Sequence, residues 1–231
     1  GSNLGSALGG TVAATKLSAN TTSGFSIVQW TGTETSISLA HGLAKPPELV
    51  IVKCSGATGS WRIGQSVITG QKFDSNDGWY LEFTTAANHE ETSPIIWGDP
   101  ATTPSASLFF VGSNGSMNTS GQPMVAYCFH SVEGYSKVGT YTGNGNADGT
   151  FAYTGFRPAC VILKDCTSGT GENWRIRDNK RSPYNVVNDS LRPSADSAED
   201  VDSSTEAMDF LSNGLKFRNN DPNDNAAART Y

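Results

Sequence analysis

Apolar residues come in short runs along this chain, and Gly, Asn, Pro, Asp and Ser stand between them. Two runs are apolar at every position: Leu49-Val50-Ile51-Val52 and Cys160-Val161-Ile162-Leu163. Such a run fits a central strand covered on both faces. Elsewhere the pattern alternates. Trp79, Leu81 and Phe83 fall on one face, and Tyr80, Glu82 and Thr84 on the other, which is the period of a half-buried strand. Segments 25–30, 36–39, 108–111 and 124–129 read as further strands, the last two joined by the turn-rich GSNGSMNTSGQ. A short helix is expected at 206–211, at the end of an acidic, Ser-rich stretch. The pattern as a whole predicts an all-β protein.

The chain also repeats itself. KPPELVIVKC and FRPACVILKD place Pro47 with Pro158, Val50 with Val161, Ile51 with Ile162 and Lys53 with Lys164, about 111 residues apart. Trp30-Thr31-Gly32 matches Tyr141-Thr142-Gly143, and Trp61-Arg62-Ile63 matches Trp174-Arg175-Ile176. His41-Gly42-Leu43 matches Thr154-Gly155-Phe156, and Leu108 and Phe110 are set against Leu215 and Phe217. The matches keep their order, so we expect two tandem β-sandwich modules related by duplication, each with its own core. The expected boundaries are a linker or the end of a preceding domain at 1–23, module one at 24–134 and module two at 135–231. Tyr231 falls where Met124 stands, and nothing follows it to match Val125-Ala126-Tyr127-Cys128-Phe129. Module two is therefore expected to lack its last strand, which a continuation or a neighbouring copy would supply.

Composition narrows the function. A net charge of -6 with few Lys and Arg argues against nucleic acid as a main ligand. The best basic cluster, WRIRDNKR, is expected to be a solvated loop with local ion pairs. No apolar run is long enough to span a bilayer and no signal peptide is visible. Cys54, Cys128, Cys160 and Cys166 form no CxxC pair, which leaves buried free thiols and no zinc site.

No catalytic constellation stands out. His41 lies beside a glycine in a turn, and His130 beside Ser131 and near Glu133 lacks any nucleophile-elbow motif. The acidic pairs Glu90-Glu91, Glu199-Asp200 and Asp221 with Asp224 read as solvated loops. NNDPNDN at 219–225 is rich in oxygen ligands but lacks the spacing of a calcium loop, so no metal and no cofactor is expected. Aromatics give the better binding lead. Trp79, Tyr80 and Trp97 have no counterparts in the second copy and are the candidate ligand platform. Trp61 and Trp174 are the alternative, although their repetition favours core tryptophans.

The strings ANTTSGFSIVQWTG, HGLAKPPELVIVK and VAYCFHSVEGYSKVGTYTGNGNADGTFAYTGFRPACVILK, with SPYNVVNDSLRPS and DFLSNGLKFRNN, cover nearly everything from Ala19 onward. Together they resemble a duplicated domain of unknown function found in tail-fibre-like virion proteins of tailed phages, many of them marine. It commonly lies near the C-terminus, often after a concanavalin-like domain. The resemblance implies a virion protein of the tail or a surface appendage, made in the host cytoplasm and homo-oligomeric, with trimers suspected. It brings no established catalytic residues, so none is carried over. Its expected partners are other virion proteins and a host-surface glycan or receptor. A purely structural adaptor or decoration protein is the alternative, and a polysaccharide depolymerase the third reading.

Overall fold

The computed structural model describes residues 9–68, 73, 80–83, 88–89, 96–98, 102–167, 172–203 and 205–231. Among these residues the chain is all-β, with several sheets and no helix. In chain order the strands are β1 (Lys16–Asn20), β2 (Phe25–Thr31), β3 (Ile37–Ala40), β4 (Leu49–Cys54), β5 (Arg62–Gln65), β6 (Tyr80–Glu82), β7 (Asn88–His89), β8 (Leu108–Val111) and β9 (Pro123–Phe129). They continue with β10 (Phe151–Tyr153), β11 (Cys160–Leu163), β12 (Arg175–Asp178), β13 (Met208–Leu211) and β14 (Gly214–Phe217). The chain divides into unit 1, Gly1–Glu82 with His89–Val138, and unit 2, Phe83–Asn88 with Gly139–Tyr231.

Unit 1 is built on a seven-stranded sheet in the order β1-β2-β9-β4-β5-β6-β7. A two-stranded sheet, β3-β8, supplies a second layer. The core between them takes Val28 and Trp30 from β2, Val50 and Val52 from β4, and Met124, Ala126 and Cys128 from β9. Ile37 and Leu39 of β3, with Phe109 and Val111 of β8, face them. The continuous apolar run 49–52 is explained by position: β4 lies between β9 and β5, with Ile51 opposite Tyr127 on one side and Ile63 on the other. Gly64 must be glycine, because a Cβ there would come within 2.2 Å of the Phe73 ring and 2.5 Å of the Trp97 ring.

Unit 2 contains a three-stranded sheet, β10-β14-β13, and the pair β11-β12. Its apolar core is smaller: Leu163, Val187, Met208, Phe210, Leu215 and Phe217, with Tyr141, Ala152 and Val161 partly buried against it. Tyr141 stacks on Phe217 at 4.7 Å and on Tyr231 at 5.0 Å.

Several expectations change. β1 pairs along its length with β2, and the Thr11 and Val12 N–H groups bond the Ser38 carbonyl, so the segment from residue 10 belongs to unit 1's sheets and is no linker. The helix expected at 206–211 is strand β13, because Met208 and Phe210 with Asp209 sit on a pleated, buried surface against β14. On β8 the buried residues are Phe109 and Val111 and on β14 Leu215 and Phe217, so the expected alignment of Leu108 and Phe110 with Leu215 and Phe217 sets partly exposed residues against buried ones. WRIRDNKR is no solvated loop: Arg175 and Arg177 lie on β12 and are buried. Cys54, Cys128 and Cys166 are buried free thiols as expected, but Cys160 is exposed at the end of β11.

Candidate functional site

The outer face of the β10-β14-β13 sheet carries exposed aromatic rings beside charged groups. Phe151 and Tyr153 are two residues apart on β10, so both project to the same side. They remain 43% and 68% exposed. Across the strand pair, Phe151 is opposite Lys216 and Tyr153 opposite Gly214. The Phe151 ring lies over Gly214, where a Cβ would approach its Cζ to 2.8 Å. Charged side chains border the rings. Lys216 Nζ meets Asp148 at 2.8 Å, and Arg218 meets Asp209 at 2.7 Å. Lys216 holds the Asp148 carboxyl below the ordinary carboxylate range, with Arg218 adding to the effect. The arrangement offers apolar ring faces beside hydrogen-bonding groups of both signs.

The residues singled out in the sequence sit elsewhere. Trp97 is 1% exposed and packs edge-on against Phe73 at 5.0 Å. Tyr80 is buried under the Arg62 guanidinium, 4.1 Å above its ring. Both serve unit 1's interior, so neither presents a stacking face; Trp79 lies outside the described residues. Trp174 is buried and packs on Phe83 at 4.6 Å, whereas Trp61 is half-buried and stacks on Tyr127 at 6.1 Å.

His41 and His130 bond backbone groups. Buried His41 accepts the Leu43 N–H at Nδ1 (3.1 Å) and donates from Nε2 to the Ser105 carbonyl (3.1 Å). Thr154 does the first of these jobs in unit 2, where its Oγ1 accepts the Phe156 N–H. Burial lowers the His41 pKa, which keeps the ring neutral for this pair of bonds. His130 Nδ1 meets the carbonyl of Ser131, while the Ser131 hydroxyl donates to Glu48 at 2.5 Å. Serine and histidine therefore do not form a relay. Of the remaining candidates, Glu90 and Glu91 lie outside the described residues, as does the side chain of His89.

The acidic candidates of unit 2 are tied to the buried arginines. Asp224 meets Arg177 at 2.7 Å, and Glu206 meets Arg175 at 2.8 Å, Arg177 at 3.3 Å and Arg192 at 2.9 Å. Burial alone would raise the Glu206 pKa, but the Ser190 hydroxyl and the three arginines hold it below the usual range. Glu199 pairs with Arg181, and Asp200 with Arg192. Within the 219–225 loop Asp221 accepts the Asn223 N–H and Asn219 the Asp221 N–H, while Asn223 accepts the Asn173 N–H and Asp224 meets Arg177. No group of three His, Cys, Asp or Glu able to hold a metal occurs among the described residues. Burial pushes the thiols of Cys128 and Cys166 up to about 12, away from nucleophilic chemistry.

A family profile, Domain of unknown function (DUF7483), matches residues 2–231. The chain belongs to the DUF7483 family. One family match thus spans both units of the DUF7483 chain. No curated protein and no solved structure matches it.

Sequence reasoning missed two residues that organise this DUF7483 fold. Buried Asn118 accepts from Trp30 Nε1 at 3.0 Å and the Thr33 N–H at 3.1 Å, and donates to the Thr35 carbonyl at 2.8 Å. In unit 2 buried Asn225 accepts from the Asn144 N–H at 3.1 Å and donates to the carbonyls of Asn146 at 3.0 Å and Asn219 at 2.7 Å. Both asparagines lie in turn-rich strings that look like solvated loops. The available signal was their place four residues after Asn114 and Asp221 and three before Gly121 and Ala228; Gly121 and Ala228 have positive φ.

Proposed function

We propose that the chain is a virion structural protein, part of a tail fibre or similar appendage, that recognises a host-surface glycan without chemistry. The family resemblance of its strings to tail-fibre-like proteins supports the virion setting. The observation that carries the recognition step is the exposed Phe151–Tyr153 face with its border of Lys216, Asp148, Arg218 and Asp209. A sugar ring offers apolar C–H faces and a rim of hydroxyls, and this surface is complementary to both. The partners in this reading are other virion proteins and further copies of the chain, with trimers expected from the resemblance. A glycan array probed with the wild-type chain and with Tyr153→Ala and Phe151→Ala tests it. The expected result is saturable binding that each variant weakens by about tenfold, or ~1.4 kcal/mol. Absence of any glycan ligand, or unchanged binding by both variants, refutes it and favours a purely structural adaptor.

The two units are further proposed to be tandem sandwich modules descended from one. Paired bonds support this. Gly32 N–H bonds the Gln122 carbonyl as Gly143 N–H bonds that of Arg229, each at 2.9 Å. The returning bonds come from Gly121 to Gly32 and from Ala228 to Gly143. His41 N–H bonds Ser107 as Thr154 N–H bonds Asn213. Ile51 is opposite Ile63, as Ile162 is opposite Ile176.

A further inference from the structure

β3 pairs with β8 in unit 1 as β10 pairs with β14 in unit 2. His41 N–H bonds the Ser107 carbonyl and Thr154 N–H bonds that of Asn213, which sets the two strand pairs in one frame. In that frame the cross-strand couple Ser38–Phe110 takes the place of Phe151–Lys216. Each couple holds one aromatic ring, on opposite strands. Ile37, Leu39, Phe109 and Val111 enter unit 1's core, so by strand alternation Ser38 and Phe110 turn to the other face. There they bound a cavity of about 190 Å³ together with Thr11, Ser36, Gly98 and Thr102. Thr11 N–H bonds Ser38 Oγ at 3.0 Å, and Ser38 N–H bonds Thr11 Oγ1 at 2.9 Å. Both hydroxyl oxygens are thus acceptors, and neither O–H proton has a protein acceptor among the described residues. Ser38 is only 8% exposed, so an oxygen atom placed in the cavity is the natural acceptor for its proton. Ser36 adds an exposed hydroxyl, and half-buried Phe110 supplies a ring. Gly98, with φ 102°, puts no side chain into the space. None of these lining residues is charged.

We propose that this cavity of unit 1 is a binding site for a single neutral sugar ring, separate from the Phe151–Tyr153 face of unit 2. The apolar C–H face of the ring packs on Phe110. Its hydroxyl oxygens accept the O–H protons of Thr11, Ser38 and Ser36. The uncharged lining sets the class, because a carboxylate or sulfate group would call for the Arg or Lys that these walls lack. Size sets the length: the volume lies below the ~300 Å³ at which drug-sized sites begin, so it holds one ring and no longer chain. The site stands on unit 1's own geometry and does not require the unit 2 reading.

The test titrates the full chain with glucose, galactose, mannose and N-acetylglucosamine as free sugars, and reads binding by saturation-transfer NMR and chemical-shift change. At least one should saturate with a Kd of about 1 mM, the affinity that a ligand of this size reaches. Phe110→Ala removes the stacking face. Ser36→Trp fills the cavity from an exposed position and keeps the test decisive if the first variant unfolds. Each should weaken binding by about tenfold or more, with circular dichroism checking the fold. Tyr153→Ala and Phe151→Ala should leave this binding unchanged, so failure of the unit 2 reading does not touch the result. Absence of saturable binding by all four sugars overturns the proposal, as does binding that survives Ser36→Trp. Binding lost in Tyr153→Ala and kept in Ser36→Trp also overturns it, by assigning the sugar to unit 2 alone.

Discussion

Asn118→Ala should cost unit 1 about 2–5 kcal/mol. The asparagine is fully buried, and its side chain ties Trp30, Thr33 and Thr35 to the turn before β9. Truncation strands the indole N–H of Trp30, itself buried, at a cost of ~1–3 kcal/mol. Thr33 is half-buried and Thr35 exposed, so water can replace their lost bonds, and each adds only ~0.5–1 kcal/mol. Asn225→Ala should cost unit 2 a similar amount, because it releases Asn144, Asn146 and buried Asn219 together. Urea and thermal unfolding, followed by tryptophan fluorescence and circular dichroism, measure both. A fall in melting temperature of roughly 10 °C is expected for each. If both substitutions cost less than ~0.5 kcal/mol, the turns are not held by these amides. If only one is costly, the two asparagines are not equivalent and the paired-module reading loses its best support.

Three further outcomes follow from buried groups. Burial holds the folded His41 pKa below 6.5, so its contribution to stability is complete above that pH and falls as the pH drops through 6.5 and the unfolded chain takes up the proton; urea midpoints from pH 8 to 5 should show this slope, and His41→Gln should flatten it. Of the four thiols only Cys160 should react quickly with a thiol reagent in the native chain, the other three reacting on unfolding; fast labelling of Cys128 would contradict the packing of β9. Arg177→Met should destabilise unit 2 by ~3–5 kcal/mol, because it leaves Asp224 buried without its partner; a loss under ~1 kcal/mol would mean that Asp224 is reached by water.

The strands were legible where side-chain period alone decides them. Segment 108–111 is β8 as expected, and 25–30 and 124–129 lie within β2 and β9. Local pattern failed where tertiary partners override it. Glu206-Ala207-Met208-Asp209-Phe210-Leu211 has helical composition, yet Asp209 pairs Arg218 at 2.7 Å and the segment from Met208 completes a sheet. Arg175 and Arg177 looked solvated because charge predicts exposure. Only the carboxylates of Glu206 and Asp224, distant in sequence, make their burial tolerable. Tyr80 and Trp97 looked free because nothing in the second copy matches them, but lack of a counterpart says nothing about burial. Phe151 and Tyr153 sit in an ordinary strand string and carry no signal until the sheet shows which side is covered.

The two units meet the cost of folding in different ways. Unit 1 encloses Trp30, Trp97, Phe73 and Phe109 between two layers, a mostly apolar solution whose stability scales with buried area. Unit 2 has a smaller apolar cluster and carries three arginines and their carboxylates in or beside it. Such pairs offset their desolvation only in part. Arg175 and Arg177 still hold Nε and Nη1 groups without a protein partner among the described residues.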